Sequence, residues 1–189
     1  MKSDIVFDGD DLLVRINIHD PLSTQLVISF HPRWPMEYTP GSGFAEKPLN
    51  KLEINNLHFI NKKNHWWQTA EMALAIETTL RTIDFDRLDH IVAYGSSMGA
   101  YGALLHSDSL HCTHVVALGP QYSIDREKVQ FEKRWHKEAS ELNFQWDDMN
   151  LALQSKAKKI VIYDNKSDDR HHIALMYGHN LQKTPIPYA

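Results

Sequence analysis

The sequence predicts an α/β protein, a three-layer α/β/α sandwich built on a mostly parallel sheet with an antiparallel N-terminal edge. The short apolar run at residues 26–30 reads as a central strand buried on both faces, the largely apolar runs at 91–94 and 114–118 as further buried strands, and those at 57–60 and 159–163 as strands beside them. Helical stretches separate several of them, and this strand–helix–strand alternation is the mark of right-handed parallel crossovers. At the amino end, residues 4–7 and 12–19 instead alternate apolar and polar side chains around Asp8-Gly9-Asp10-Asp11, as a half-exposed hairpin does.

The elements follow in order. After the strand at 26–30 comes a loop over residues 31–41 that carries three prolines, Pro32, Pro35 and Pro40. Residues 44–51 form a short helix interrupted by Pro48, and the strand at 57–60 leads into a polar loop with the adjacent Trp66 and Trp67. Residues 69–83 are a helix with Ala73, Ile76, Leu80 and Ile83 on one face. The strand at 91–94 runs into a helix over 98–106, whose Gly99, Ala100, Gly102 and Ala103 allow close packing on the sheet. Residues 121–150 read as a long helical, lid-like insertion in which Phe131, Trp135, Ala139 and Leu142 share a face, ending in a connector at 144–148. Beyond the strand at 159–163 lie a turn over 164–172, a helix running to residue 181, and the start of a last strand at 184–189.

Composition bounds the function. With 189 residues, 42% of them apolar and 23% charged, the chain is expected to form one domain over 1–189. A net charge of -4 without a basic face argues against nucleic acid as partner. Cys112 is the single cysteine, so no intrachain disulfide forms, and it reads as a small core residue. No apolar window reaches membrane length and the amino end lacks a signal-like stretch, so a cytoplasmic protein without a membrane partner is expected. The 12 histidines show no metal-ligand spacing, and neither a metal nor a cofactor is expected. Oligomeric state is not encoded in any of these features.

The motif with chemical content is Gly95-Ser96-Ser97-Met98-Gly99, a G-x-S-x-G pattern placed between a strand and a helix. A serine presented on a sharp turn at the top of a sheet needs glycine two residues before and two after, where a Cβ would collide with its surroundings. Ser97, not Ser96, is therefore the expected nucleophile.

With Tyr-Gly-Ser-Ser-Met-Gly at the elbow, Asn64-His65-Trp66-Trp67-Gln68 in the loop and Asp169-Arg170-His171-His172 in the late turn, the chain resembles the α/β-hydrolase superfamily and its bacterial serine hydrolase-like members. The resemblance spans nearly the whole chain. It implies an esterase or deacylase that acts on an acyl ester of a small molecule or saccharide, with Asn64, Trp66 and Tyr122 lining the substrate. The oxyanion donors it implies are the Met98 N–H and an N–H of the loop after the strand at 26–30, where Pro32 has none to give and His31 or Arg33 must serve. The acid is expected in the turn after the strand at 159–163, with Asp169 favoured, Asp168 close behind and Asp164 capping the turn. The catalytic histidine is expected after one further strand, where the relatives continue through a Gly-His pair and this sequence stops at Ala189. Two readings stay open: a fold truncated at its last strand, or an internal histidine (His172, His171, His31 or His179) in that role. The alternative to an enzyme is a non-catalytic hydrolase-fold binding protein in a polysaccharide or cell-surface pathway.

Overall fold

A computed structural model describes residues 1–35 and 41–186, so residues 36–40 of the proline loop and 187–189 of the expected last strand lie outside the described residues. Eight strands form one open sheet in the order β1-β2-β4-β3-β5-β6-β7-β8. β1 (Lys2–Asp8) and β2 (Leu12–Ile18) make the antiparallel edge, and β2 joins β4 (Asn56–Asn61) antiparallel. From there β4, β3 (Gln25–Phe30), β5 (His90–Ser96), β6 (His114–Leu118), β7 (Lys158–Tyr163) and β8 (Leu181–Pro185) run parallel. The expected architecture is present, with the antiparallel pair where the alternating pattern placed it.

The two faces of the sheet can be read at β3 and β4, where successive side chains point to opposite sides. Phe30 pairs with Phe59 in register, their rings stacked at 4.8 Å, and this side receives Trp67 and α3 (Met98–His106). Ser29 pairs with His58, and that side meets α1 (Glu46–Lys51) through a buried polar set. His58 Nδ1 shares a hydrogen bond with Ser29 Oγ at 2.5 Å, its Nε2 meets Asn56 Oδ1, and Asn17 ties Asn56 to the Glu46 carboxylate. Every residue of β4 is buried, the polar Asn56, His58 and Asn61 included.

Three expectations need correction. Helix α2 spans Glu71–Thr82 and buries Met72, Ala75, Ile76 and Thr79; of the expected stripe Ile76, Leu80 and Ile83 do pack on the core, but Ala73 is exposed and Met72 takes its place. Met72 offers more apolar surface than Ala73, and the Thr79 hydroxyl satisfies itself by donating to the Ala75 carbonyl at 2.8 Å, so a threonine can go inside. Residues 121–150 hold only the short helices α4 (His136–Glu141) and α5 (Met149–Ala152) among turns. Their own side chains divert the backbone: Ser123 Oγ accepts from Asp125 N, Asp125 Oδ1 from Glu127 N, and Glu132 Oε1 from Arg134 N. Finally, α6 (Asp169–Leu175) stops well short of residue 181, and β8 begins there instead of at 184. The backbone turns extended at the C-cap Met176, and beyond Gly178 the left-handed Asn180 (φ 52°) offers its carbonyl to Lys159 N at 2.8 Å, which starts the β7–β8 ladder. Cys112 is buried, and no helix among the described residues is long and apolar enough to cross a membrane.

Candidate active site

Ser97 sits where β5 turns into α3, at φ 50° and ψ -120°, a conformation that L-residues avoid. Two glycines make this turn sterically allowed. A Cβ on Gly95 would stand 2.2 Å from Gly99 O, and one on Gly99 would stand 2.2 Å from Phe30 O. The backbone is then pinned on both sides, Ser97 N donating to Leu118 O at 2.8 Å and Tyr101 N donating to Ser97 O at 3.0 Å. From beneath, the Trp67 indole donates to Met98 O at 2.9 Å and packs so closely on α3 that only glycine fits at position 102. Trp66 and Trp67 both have positive φ, 45° and 59°, so the loop after β4 stores strain of its own to place the two rings.

The Ser97 hydroxyl opens on a cavity of about 350 Å³ at the carboxyl edge of the sheet, whose walls include Gly119, Gln121, Arg134, Asp164 and Asp169. Gln121 is 2% exposed, and its Nε2 donates to Ser97 Oγ at 3.3 Å and to Gly119 O at 3.2 Å. Its Oε1 accepts from the Trp66 indole at 3.3 Å, which fixes which end of the amide faces the serine. Neither Gln121 nor Arg134 stands out in the sequence. The one signal for Gln121 was its place just past Gly119-Pro120, at the end of the strand beside the elbow strand.

Of the three carboxylates in the late turn, two reach this cavity. Asp169 Oδ1 accepts from Arg134 Nη1 at 3.3 Å, and Asp164, which also accepts from Lys166 N at 2.7 Å, lies beside it. Asp168 is exposed at the N-cap position of α6 and lines no part of the cavity. Arg134 also binds Glu132, whose Oε2 accepts from His172 Nε2 at 2.9 Å. Burial alone would raise the Glu132 carboxyl, but hydrogen bonds from His172 and Arg134 outweigh it and hold the group down at about 2.

That network commits His172. With Nε2 donating to Glu132, its Nδ1 accepts from Tyr122 N at 3.1 Å, so both ring nitrogens are engaged in a fully buried ring. His31 stacks on Trp34 at 3.7 Å with Nδ1 against Pro32 O, and burial pushes it down to about 4. His171 and His179 are exposed. Among the described residues no imidazole stands within hydrogen-bond distance of Ser97 Oγ, which meets Gln121 alone.

The expected oxyanion donors separate in the same way. The His31 N–H continues the ladder past β3 by donating to Phe59 O at 3.0 Å, so it is not free for an oxyanion. Met98 N stands in the first turn of α3, where no helical carbonyl reaches it. The Arg33 side chain pairs with Glu138 at 2.8 Å and lies 5.0 Å over the Trp135 ring. Of the expected lining residues none faces the Ser97 cavity. Asn64 clamps the loops after β3 and β4 by bonding Trp34 N and O, Trp66 is fully buried, and the Tyr122 hydroxyl accepts from Asn150.

No family model matches the chain, and no curated protein does. Solved structures do resemble it across nearly its full length. The capsule O-acetyltransferase of Neisseria meningitidis serogroup A superposes with a TM-score of 0.66 at 12% identity, covering 96% of this chain and 85% of that one. An esterase from Pyrococcus furiosus gives 0.57 at 16%, covering 99% and 82%. An alpha-beta serine hydrolase homologue from Coxiella burnetii gives 0.56 at 10%, covering 98% and 86%. At such identities the likeness is one of fold: the chain has the α/β-hydrolase architecture.

Proposed function

We propose that the chain is an acyl-ester hydrolase of esterase or deacylase type, with Ser97 as nucleophile and an acyl ester of a small molecule or saccharide as substrate. The observation that carries the reading is the strained Ser97 turn, held at φ 50° by Gly95, Gly99 and Trp67 and open to a cavity at the carboxyl edge of the sheet. In this reading Ser97 Oγ attacks the acyl carbonyl carbon, the leaving alcohol departs, and water releases the acid. The Met98 N–H receives the developing oxyanion, with the backbone N–H of Arg33 in the neighbouring loop as its partner donor. Gln121 Nε2 already donates to Oγ, so the serine proton is left for another acceptor in the cavity that Asp169 also lines. In this reading Asp169 orients a histidine that takes the serine proton and returns it to the leaving alcohol, the arrangement that serine hydrolases use. Transfer of the acyl group to an alcohol uses the same residues and differs only in the acceptor.

A second reading is favoured by one specific arrangement: Ser97 Oγ meets an amide donor and no described imidazole, while both nitrogens of His172 are bound elsewhere. In that reading the fold binds a ligand or partner in a polysaccharide or cell-surface pathway without turning it over. A fluorophosphonate probe separates the two. The enzyme reading expects one probe per chain by intact mass, lost in Ser97→Ala, together with Ser97-dependent hydrolysis of p-nitrophenyl acetate. A chain that stays unlabelled under conditions that label an unrelated serine esterase sinks the enzyme reading and leaves the binding one.

A further inference from the structure

The Ser97 cavity is the upper end of a longer apolar surface. Ser96, Leu118 and Ile162 lie side by side in register on β5, β6 and β7, and all three line the cavity. Two residues back on each strand, on the same face of the sheet, stand Tyr94, Val116 and Ile160, again in register.

This face is open. On the side of β5, β6 and β7 that receives α3, Ala93, Val115, Ala117 and Val161 are fully buried. Their alternates are not: Ile160 is 36% exposed, and Tyr94, Val116, Leu118 and Ile162 are partly exposed. The strip they form is bounded on both flanks. Phe44 packs on Tyr94 with the rings 5.0 Å apart, and on the other side Gln182 and Thr184 of β8 pair with Ile160 and Ile162. Between these limits the side chains of β6 and β7 stand in two columns about 5 Å apart, a furrow with room for one hydrocarbon chain. Below Val116 and Ile160 come His114 and Lys158, so the apolar stretch ends after four residues of strand, about 13 Å.

Parallel sheets are ordinarily covered on both faces, so an open apolar strip that runs out of the Ser97 cavity suits a ligand that begins at the serine. The side chains of Val116, Leu118, Ile160 and Ile162 offer neither a hydrogen bond nor a charge, which turns away a sugar or an ionic group. An extended hydrocarbon chain asks for neither. It advances through three bonds about as far as one strand residue does, so about twelve carbons span the strip. The polar groups of the cavity, Arg134 and Asp169 among them, are left for the alcohol part. We propose that the open face of β5, β6 and β7 holds the acyl chain of the Ser97 substrate, a straight chain of about twelve carbons; this rests on Ser97 being an acyl-ester nucleophile and adds the class of acyl group that it takes.

Binding and labelling are measured separately. In the full Ser97→Ala chain with ¹³C-labelled isoleucine, leucine and valine methyls, 1-dodecanoylglycerol below its critical micelle concentration is expected to shift the Val116, Leu118, Ile160 and Ile162 signals saturably. Each methylene half covered by the strip is worth about twofold in affinity, so 1-butanoylglycerol should bind at least about tenfold more weakly. Ile160→Glu, which sets a charge in the furrow, should remove the preference for the longer ester, and the near-isosteric Val116→Thr should weaken dodecanoyl binding measurably. In the unmodified chain, fluorophosphonates with alkyl chains of about two, six and twelve carbons should label Ser97 faster as the chain lengthens, with no further gain beyond twelve. Absence of methyl shifts, equal affinity for the two esters, undiminished binding by folded Ile160→Glu and Val116→Thr variants, or a dimer that buries these methyls in place of the ester would each overturn the proposal. Methyl shifts without labelling uphold the acyl-chain furrow and sink the nucleophile; labelling indifferent to chain length, without shifts, does the reverse.

Discussion

The Gln121 side chain joins Ser97 to Trp66: its Nε2 donates to the serine Oγ and its Oε1 accepts from the indole, both at 3.3 Å. Replacing it with leucine keeps the bulk and removes both bonds. Gln121→Leu is expected to cost about 1–3 kcal/mol of stability in a urea titration, because the fully buried Trp66 N–H loses its acceptor. If Gln121 also aims the serine hydroxyl, fluorophosphonate labelling of Ser97 slows by about tenfold, equivalent to about 1.4 kcal/mol in the barrier. A stability loss with an unchanged labelling rate would make Gln121 a structural residue only.

The φ of 50° at Ser97 gives a prediction of opposite sign for stability. Glycine adopts that conformation freely, so Ser97→Gly is expected to stabilise the fold by about 1 kcal/mol while abolishing labelling. Equilibrium unfolding of the two chains side by side checks it, and a less stable Ser97→Gly would mean that the turn is not strained.

Gly99→Ala should do the reverse. Its new Cβ would stand 2.2 Å from the Phe30 carbonyl, a backbone atom of a central strand that cannot step aside. A loss of about 3 kcal/mol or more, or failure to accumulate as folded protein, is expected from thermal unfolding and soluble yield.

Stability should fall in mild acid. Burial pushes His31, His58, His65 and His106 down to about 4, from an ordinary value near 6.5. Below pH 6.5 the unfolded chain takes up protons that the native state refuses until about pH 4. The native advantage is therefore complete above 6.5 and declines steadily between 6.5 and 4, with a slope approaching four protons per molecule. Glu132, held at about 2, adds a further loss once the pH drops below 4.5, where the unfolded carboxyl protonates first. Urea midpoints measured from pH 7.5 to 4 check this, and a flat profile across 6.5 to 4.5 would contradict the neutral burial of these rings.

The elbow was legible in the sequence because its constraints are local: glycines at 95 and 99 are needed by backbone atoms a few residues away or on the next strand. The strands were legible because burial in the sheet leaves short, largely apolar runs such as residues 26–30 in β3 and 91–94 in β5. Residues 121–150 were not, since Phe131, Trp135, Ala139 and Leu142 keep helical spacing while Ser123, Asp125 and Glu132 capture backbone donors that a helix would need. The wall of the Ser97 cavity was mostly hidden for a different reason. Gln121 meets Trp66 across 55 positions and Arg134 meets Asp169 across 35, and neither pairing leaves a local pattern. His31 looked available because the strand reading ended at Phe30, whereas its N–H extends the ladder one residue further.

The strand order also bears on how the molecule assembles. β3 has no neighbour close in sequence: Ile28 pairs with Leu57 on one side and with Ala93 on the other. Both of its edges stay open until two crossovers have returned, and the Ser97 turn waits longer still, for Leu118 of β6 to accept the Ser97 N–H. Such non-local pairing makes folding slow and leaves an apolar central strand exposed on the way. Refolding yield is thus set by protein concentration, and a chain synthesised only as far as β4 holds an unfinished sheet in which β3, its apolar central strand, still has one edge uncovered.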